Sequence, residues 1–298
     1  MAAPIAVITN ADRDDGLGDE FLAALGGAEH KEYEVDSYEQ LGEVTRTAVG
    51  DGAEVVAVVG GDGSQRQVGI ALARSTARPA PALCVVPGGS VNLLGQVLGI
   101  DDASTAADAA TSGKRRPFDV ARCNDEEFLL NATMGFDAEV IAKTPRDRKE
   151  RLGRFAFVVE AAKRIRTPPA RVTLTADGET MFTGRATSVL VLNVGQRGTA
   201  DFDIAPDAAF DDGVLDVAVM RCRGAFALAR TMTQLARNRS PSQNDLVRLR
   251  GSDLDVDWSR QTALQLDGDG AGEATSFRIS VSRRALHVCV PSAGAHSS

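Results

Sequence analysis

Apolar residues follow two different patterns along the chain, and the change between them divides it into two parts. In the N-terminal part, continuous apolar runs such as 4–9 and 54–59 alternate with segments of helical spacing such as 39–49 and 65–74. Continuous runs are typical of parallel strands that are buried on both faces. Strands that alternate with helices predict βαβ units in a parallel sheet, with ligands at the carboxyl ends of the strands.

The second part begins near residues 117–122, and from there strand follows strand. The segments 253–258 and 275–281 alternate strictly between apolar and polar residues, as antiparallel strands with one face in water do. A helix is predicted at about 224–237. The pattern therefore predicts an α/β domain followed by a β-rich domain. The predicted strands of the second part are 118–123, 127–132, 171–176, 186–194, 214–220, 253–258, 262–266, 275–281 and 285–290.

Composition limits the class of protein. Of the 298 residues, 43% are hydrophobic and 25% are charged, which is typical of a globular protein, and the net charge of −8 argues against nucleic acid as a partner. The four cysteines are widely scattered, so we expect buried free thiols in a reducing compartment. No signal-peptide pattern or apolar run of membrane-spanning length is present. We expect a cytoplasmic protein that is at most peripheral at the inner membrane face.

Two glycine-rich turns are the main candidates for binding chemistry. The residues Gly60-Gly61-Asp62-Gly63-Ser64 follow one predicted strand directly, and Pro87-Gly88-Gly89-Ser90-Val91-Asn92 follow the next. A strand, a glycine turn and a helix N-terminus together form an anion site, and Asp62 adds a carboxylate that can face a metal ion. The alternative is an ordinary strand-to-helix turn, because tight turns also favour Gly and Asp.

A basic segment at 143–166 has two interpretations. It carries nine basic residues against three acidic ones, and a helix is predicted at about 150–166. One interpretation is a basic amphipathic helix that contacts anionic lipid at a membrane surface. The other is a helix that packs on the core and keeps its basic face in water.

The chain resembles the diacylglycerol kinase catalytic-domain family of soluble bacterial lipid kinases, which is related to sphingosine kinases and more distantly to NAD kinases. The resemblance covers nearly the whole chain. The motifs that carry it, in order, are Asn10, Gly60–Ser64, Pro87–Asn92, Phe118–Arg122, Phe128–Asn131 with Gly135–Ala138, Leu152–Ala156, Ile204–Ala208 with Asp211–Asp216, Leu266–Asp269 and Ala285–Pro291.

This resemblance implies an NAD kinase-like α/β domain with a parallel sheet, then an antiparallel β-sandwich, with the active site in the cleft between them. The implied boundaries are a nucleotide-binding domain at 1–120 and a sandwich at 121–291 that takes the lipid substrate. The sequence after Pro291 separately predicts a disordered tail at 292–298. The implied activity is transfer of the γ-phosphate of ATP, with Mg²⁺, to a lipid hydroxyl at the membrane surface, the acceptor being diacylglycerol or a sphingoid-like lipid. A homodimer is an open alternative to a monomer.

The resemblance also implies roles for individual residues. Asp269, helped by Asp267, accepts the hydroxyl proton, and Asp62 works with Mg²⁺. A structural Mg²⁺ is implied at Asp212 and the backbone carbonyls of Ala209 and Val214. The implied nucleotide-binding residues are Asn10, Ser37, Gly60, Gly61, Asp62, Gly63, Ser64, Gly88, Gly89, Ser90 and Asn92.

The sequence departs from the family pattern at three points. Asp269 replaces a Glu and so retracts the carboxylate by about 1 Å, a misplacement that can lower a rate ~10²-fold. Arg66-Gln67 replaces an Asn-Glu pair, and Leu93 follows Asn92 where the family has Asp. Two alternatives therefore stay open: a non-catalytic relative that binds nucleotide or lipid, and an NAD kinase.

Overall fold

The structure is a computed structural model, and it describes residues 4–10, 16–89, 91–135, 168–195, 204–205, 208–222, 224–237 and 239–292. Contacts divide the chain into two compact units: residues 1–120 with 283–298 form the first, and residues 121–282 form the second. Some predicted features lie outside the described residues. They are Ser90, the motif residues 136–138 and 206–207, the basic segment 143–166 with the motif Leu152–Ala156, and residues 293–298 of the predicted tail.

The first unit alternates strands and helices, as the pattern of apolar residues predicts. Its strands are β1 (Ile5–Asn10), β2 (His30–Val35), β3 (Val55–Gly60) and β4 (Ala82–Pro87). Its helices are α1 (Leu17–Leu25), α2 (Leu41–Gly50), α3 (Asp62–Ala73), α4 (Leu93–Leu98) and α5 (Ala103–Thr111), with a 3-10 turn at Tyr38–Gln40 before α2.

The strands of this unit form a parallel sheet in the order β4-β3-β1-β2. The apolar residues of β1, β3 and β4 are almost completely buried, which explains why these strands are continuous apolar runs in the sequence. The C-terminal residues 287–288 pair in parallel with β4, so the end of the chain returns to the first unit.

The second unit is built from antiparallel strands. The strands are β5 (Lys114–Cys123), β6 (Glu126–Phe128), β7 (Asn131–Gly135), β8 (Ala170–Ala176), β9 (Glu179–Ala186), β10 (Ser188–Leu192), β11 (Leu215–Met220), β12 (Leu246–Gly251), β13 (Asp253–Leu266) and β14 (Asp269–Val290). The helix α6 (Gly224–Ala236) follows β11. Strands β5 and β14 each extend into both units.

Strand β13 pairs with different strands along its length. Residues 254–258 pair with β8, and residues 264–266 pair with β7, with a register shift between Asp257 and Thr262. The first half keeps the predicted alternation, because Leu254, Val256 and Trp258 are buried in the sandwich core. The second half carries the chain to the β13–β14 turn that contains Asp267.

The strand boundaries differ from the predicted ones in three ways. The predicted strand 127–132 is two strands, β6 and β7, with Leu129 and Leu130 between them. The predicted strands 253–258 and 262–266 form one long strand, β13, in which a register shift interrupts the alternation without ending the strand. The predicted strands 275–281 and 285–290 likewise form one strand, β14. Strands β9 and β12 were not predicted, since each has few buried positions.

The four cysteines are buried and free, which confirms the prediction made from their spacing. Burial, together with the negative charge of Glu126, raises the pKa of Cys123 to about 12. Such a thiol carries almost no thiolate near neutral pH and is not a nucleophile. Among the helices in the described part of the chain, none is long and apolar enough to cross a membrane.

Candidate functional site

The carboxyl ends of four parallel strands meet at one edge of the first unit. Asn10 is the last residue of β1, and Ser37 follows the end of β2. Gly60 ends β3 opposite Pro87, which ends β4. The structure therefore brings together ten of the predicted nucleotide-binding residues: Asn10, Ser37, Gly60, Gly61, Asp62, Gly63, Ser64, Gly88, Gly89 and Asn92.

The two glycine turns pack directly on each other through their backbones. The Gly88 N–H donates to the Gly60 carbonyl at 3.1 Å. A Cβ added to Gly89 would lie 2.6 Å from the Cα of Gly61, a distance that real Cβ atoms do not adopt. Glycine is required here because one turn lies against the other, a reason that the sequence alone does not contain.

Asn92 closes the second turn. Its side-chain Oδ1 accepts from the Gly89 N–H at 2.7 Å, and its Nδ2 donates to the Gly89 carbonyl at 2.7 Å. The residue has a left-handed backbone with φ of 52°, a conformation that Asn tolerates well. Helix α4 begins at the next residue, Leu93. The sequence motif is therefore a turn that Asn92 holds closed through its own side chain.

Asp62 connects the start of α3 to the start of α4. Its Oδ1 accepts from the Leu94 N–H at 3.1 Å, while Oδ2 makes no hydrogen bond to another described residue. The first N–H groups of α3 have no side-chain cap, so they are available to an anion as the positive end of the helix. One carboxylate oxygen and a set of backbone donors thus lie at the same helix N-terminus.

Two side chains that sequence analysis missed support the first glycine turn. Gln65 is completely buried, and its Nε2 donates to the Gly60 carbonyl at 2.8 Å. The Tyr38 hydroxyl donates to the Gly63 carbonyl at 3.0 Å and so ties the residue after Ser37 to this turn. A glutamine in a helix is usually exposed, and the sequence carries no signal that this one is buried.

In the second unit, Asp267 and Gly268 form the two-residue turn between β13 and β14. Leu266 pairs with Asp269, and the φ angles of 49° at Asp267 and 98° at Gly268 are those of a type I′ turn. The Asp267 side chain is buried, with 8% of the residue exposed. The turn therefore directs Asp267 into the unit and leaves Asp269 partly exposed at the start of β14.

The Asp267 carboxylate accepts hydrogen bonds from three consecutive backbone N–H groups. Leu129 donates to Oδ2 at 2.8 Å, and Leu130 and Asn131 donate to Oδ1 at 2.8 and 2.9 Å. The side chain of Asp269, by contrast, makes no hydrogen bond or ion pair with any other described residue. The two aspartates therefore differ, since three backbone donors engage the Asp267 carboxylate and none of the described residues engages that of Asp269.

Asn193 holds the same segment from another side. Its Nδ2 donates to the Leu129 carbonyl at 2.7 Å and its backbone N–H donates to the Leu130 carbonyl at 2.9 Å. Asn193 is almost completely buried, and it follows β10. The segment 129–131 is thus fixed by Asp267 and Asn193, which explains why the chain breaks between β6 and β7. Sequence analysis did not single out Asn193.

The turn at Asp212 contains an arginine where the resemblance implies a metal ion. Asp212 Oδ1 accepts from the Val214 N–H at 3.0 Å, and its Oδ2 accepts from Arg250 Nη2 at 2.9 Å. Arg250 also contacts Asp216 at 3.2 Å. Burial lowers the pKa of Arg250, but the charges of Asp216 and Asp212 outweigh this and raise it.

The carboxylates of Asp212 and Asp216 therefore already face a cation, the Arg250 guanidinium, and the implied metal site at this turn stays a prediction. Both carboxylate oxygens of Asp212 already have partners, and one of those partners is positively charged. The implied ligands Ala209 and Val214 add only backbone carbonyls. No group of three or more His, Cys, Asp or Glu side chains that could hold a metal ion occurs within the described ranges.

Comparison with known families assigns both units. Residues 5–123 match the family model described as the diacylglycerol kinase catalytic domain. Residues 131–290, more than half of the chain, match the model described as the YegS C-terminal NAD kinase beta sandwich-like domain. The chain belongs to the family with the YegS C-terminal NAD kinase beta sandwich-like domain, and in it this domain follows a diacylglycerol kinase catalytic domain. The two matches follow each other in the order that the sequence motifs predict.

Individual members of the family are distant relatives. The diacylglycerol kinase of Bacillus subtilis is 27% identical over 241 residues, which cover 80% of this chain and 78% of that protein. A Pseudomonas aeruginosa protein named "Probable lipid kinase YegS-like" is 29% identical over 248 residues, or 83% of this chain and 80% of its own length.

Solved structures support the fold assignment. A crystal structure of a diacylglycerol kinase from Bacillus anthracis has a TM-score of 0.74 at 20% identity and covers 98% of both chains. An NAD kinase from Archaeoglobus fulgidus, solved in complex with ATP, has a TM-score of 0.54 at 14% identity and covers 96% of this chain and 93% of its own. The predicted fold class, an NAD kinase-like α/β domain followed by an antiparallel β-sandwich, is confirmed.

Proposed function

We propose that this protein is an ATP-dependent lipid kinase that transfers the γ-phosphate of ATP to a hydroxyl group of diacylglycerol or a sphingoid-like lipid. The observation that carries the proposal is the pair of packed glycine turns at the N-terminus of α3, in a unit that matches the diacylglycerol kinase catalytic domain. Phosphoryl transfer depends mainly on positioning and on stabilisation of the phosphate charge, and such an edge supplies both.

The proposal assigns the nucleotide to the glycine edge of the first unit. The uncapped N–H groups of α3 and the bare backbone of both turns are suited to phosphate oxygens. Asn10, Ser37 and Ser64 are proposed to add side-chain contacts from neighbouring strand ends. Gln65, Tyr38 and Asn92 are positioning residues, because they hold the turns through backbone carbonyls and amides.

Asp62 fits Mg²⁺ better than Asp212 does. It keeps one carboxylate oxygen uncommitted among the described residues, and Mg²⁺ is commonly bound by one or two carboxylates together with substrate phosphates and water. A bound Mg²⁺ would supply charge neutralisation for the phosphates. In this proposal Asp62 is the metal-binding residue, and the turn at Asp212 needs no metal because Arg250 supplies the cation.

Asp269 is proposed as the general base of the acceptor step. It accepts the proton of the lipid hydroxyl as the hydroxyl oxygen bonds to the γ-phosphorus, and the bond between that phosphorus and the β–γ bridging oxygen breaks. The products are a phosphorylated lipid and ADP. Asp267 is a positioning residue here, since three backbone N–H groups engage its carboxylate and stabilise its charged form.

The test is transfer of radioactive phosphate from [γ-³²P]ATP, with Mg²⁺, to a total lipid extract, read by chromatography of the labelled products. Purified diacylglycerol, sphingosine and NAD are assayed in parallel as single acceptors. We expect label in one or more lipid products. Label in NAD alone, or in no product under conditions where the protein binds ATP, would contradict the proposal.

A further inference from the structure

The outer face of α6 exposes an aromatic side chain that the fold does not use. Phe226 is 83% exposed, whereas the other exposed large hydrophobic residues of the described chain, Tyr38, Val91 and Met181, lie between 36% and 46%. Fully exposing a phenylalanine leaves its large apolar surface in water, which is unfavourable unless another surface covers it. The exposed ring of Phe226 therefore makes this face of α6 a candidate for contact with another surface.

The opposite face of the same helix accounts for its packing. Leu228, Thr231 and Leu235 are buried, and the two leucines belong to an apolar cluster with Leu192, Met220 and Leu246. This cluster fixes α6 on β10, β11 and β12 without help from Phe226. A structural role in packing the helix thus does not explain why residue 226 is aromatic.

Phe226 belongs to a stripe of exposed residues on the helix. Phe226, Arg230 and Thr233 follow one another at spacings of four and three residues, and Arg237 continues the stripe four residues later, one residue beyond the end of α6. Residues at these spacings lie on one face of an α-helix. Arg239 follows just beyond the end of α6 and is also exposed. The stripe therefore has an aromatic group at one end and arginines along the rest.

The charge of this region is opposite to that of the whole protein. Five arginines and no acidic residue occur from Arg221 to Arg239, although the chain has a net charge of −8. Arg230 forms an ion pair with Asp245. Arg237 and Arg239 form no ion pair with another residue that the structure describes. Two guanidinium groups at the other end of the helix from Phe226 are thus available to an anionic partner.

We propose that the stripe formed by Phe226, Arg230, Thr233, Arg237 and Arg239 docks the second unit on a bilayer surface that contains anionic lipid. The aromatic ring would enter the interfacial region, and the arginines would pair with lipid phosphates. A single helical stripe with both features fits a flat, negatively charged surface. This inference goes beyond the proposed function, because binding to a bilayer requires neither ATP nor transfer.

The test is sedimentation of the full chain with vesicles of phosphatidylglycerol and phosphatidylcholine, compared with vesicles of phosphatidylcholine alone. We expect binding to the anionic vesicles that decreases with added salt. Arg237→Gln with Arg239→Gln should weaken it by about fivefold for each arginine removed. Phe226→Ser should weaken binding by about tenfold, because the variant loses the favourable burial of the aromatic side chain in the apolar part of the bilayer.

Matched variants on β8 and β9 serve as controls. Arg171→Gln with Arg185→Gln removes the same charge from exposed positions of the same unit, and Met181→Ser removes another exposed apolar side chain. These variants should bind anionic vesicles as the wild type does. Equal binding to neutral and anionic vesicles would overturn the proposal. The proposal would also be overturned if the stripe variants bound like the wild type, which is the result expected if the segment 143–166 alone contacts lipid. It would equally be overturned if the control variants lost as much binding as the stripe variants.

Discussion

Asp267 and Asp269 differ in what their carboxylates contact, although only one glycine separates them. Asp267 accepts three backbone N–H groups from residues 129–131, and Asp269 makes no side-chain hydrogen bond to the described residues. The sequence predicts a turn at this point and two acidic groups in it. It could not predict which of the two carboxylates accepts backbone hydrogen bonds, because the donors to Asp267 lie more than 130 residues earlier in the chain.

Asp267→Asn tests the positioning role at the scale of one residue. Asn also tolerates the left-handed turn, but its amide replaces one acceptor oxygen with a donor, so a buried N–H loses its partner. We expect a loss of about 2 kcal/mol in the free energy of unfolding, measured by urea denaturation. Lipid phosphorylation should fall, while ATP affinity should stay unchanged because the residue lies in the second unit.

Asp177→Asn is the matched control for this variant. Asp177 and Gly178 form a similar two-residue turn between β8 and β9, with φ angles of 50° and 85°, and its carboxylate also accepts backbone N–H groups, from Ser252 and Asp253. Asp177 is exposed, so the loss should be smaller, and transfer should be unaffected. An Asp267→Asn protein as stable and active as Asp177→Asn would contradict the positioning role.

At the scale of elements, the two glycine turns were predicted and their mutual contact was not. The strand-turn-helix pattern of β3 and α3 is visible in the sequence because a long apolar run ends in Gly-Gly-Asp-Gly. Helix α4 was missed because it has only six residues. Strands β9 and β12 were missed because their outward positions leave too few buried residues to produce a clear pattern.

Gly89→Ala tests the contact between the glycine turns. The added methyl group would lie 2.6 Å from Gly61 Cα, so the turns must separate. We expect the dissociation constant for Mg-ATP, measured by calorimetry, to rise at least tenfold, with a loss of about 1–3 kcal/mol in stability. Gly27→Ala, where nothing lies within 4 Å of the added atom, should change neither quantity. Similar ATP affinity in both variants would exclude this edge as the nucleotide site.

Arg250→Gln tests whether an arginine takes the place of a metal ion in the second unit. The variant leaves Asp212 and Asp216 without a cation, and it should lose about 1 kcal/mol of stability, since the pair is partly exposed. Mg²⁺ or Ca²⁺ should then raise the melting temperature of the variant more than that of the wild type. Arg248→Gln, on the same strand but bonded to the Ile204 carbonyl, should not respond to either metal.

The opposite result at this turn would restore the metal assignment. If an Asp62→Asn protein, which lacks the other proposed metal-binding residue, melts at a lower temperature after chelation and recovers with Mg²⁺, a metal ion binds here in addition to Arg250. The assignment of Asp212, Ala209 and Val214 was made from resemblance, and the sequence pattern carries no signal that residue 250 pairs with residues 212 and 216. That pairing follows from the register of β11 with β12.

For the whole molecule, the change of apolar pattern near residue 117 was sufficient to predict an α/β part and a β-rich part. The same linear pattern could not predict that the end of β14 returns to β4 in the first unit, because strand order is not encoded in local periodicity. Predicting the family required the sequence motifs in addition to the apolar pattern. The motifs, in order, predict the family that the two family models confirm.

The most direct test of the account is phosphate transfer from ATP to lipid by the wild type, Asp269→Ala and Asp269→Glu at saturating ATP and Mg²⁺. We expect transfer by the wild type and a loss of about 10²–10⁴-fold in Asp269→Ala, with ATP binding retained, because the base acts on the acceptor. Asp269→Glu should be equally or less active, since its longer side chain enters a site adapted to Asp. Wild-type transfer that Asp269→Ala leaves unchanged would contradict the assignment of the base, and a wild type silent on every lipid would contradict the proposed activity.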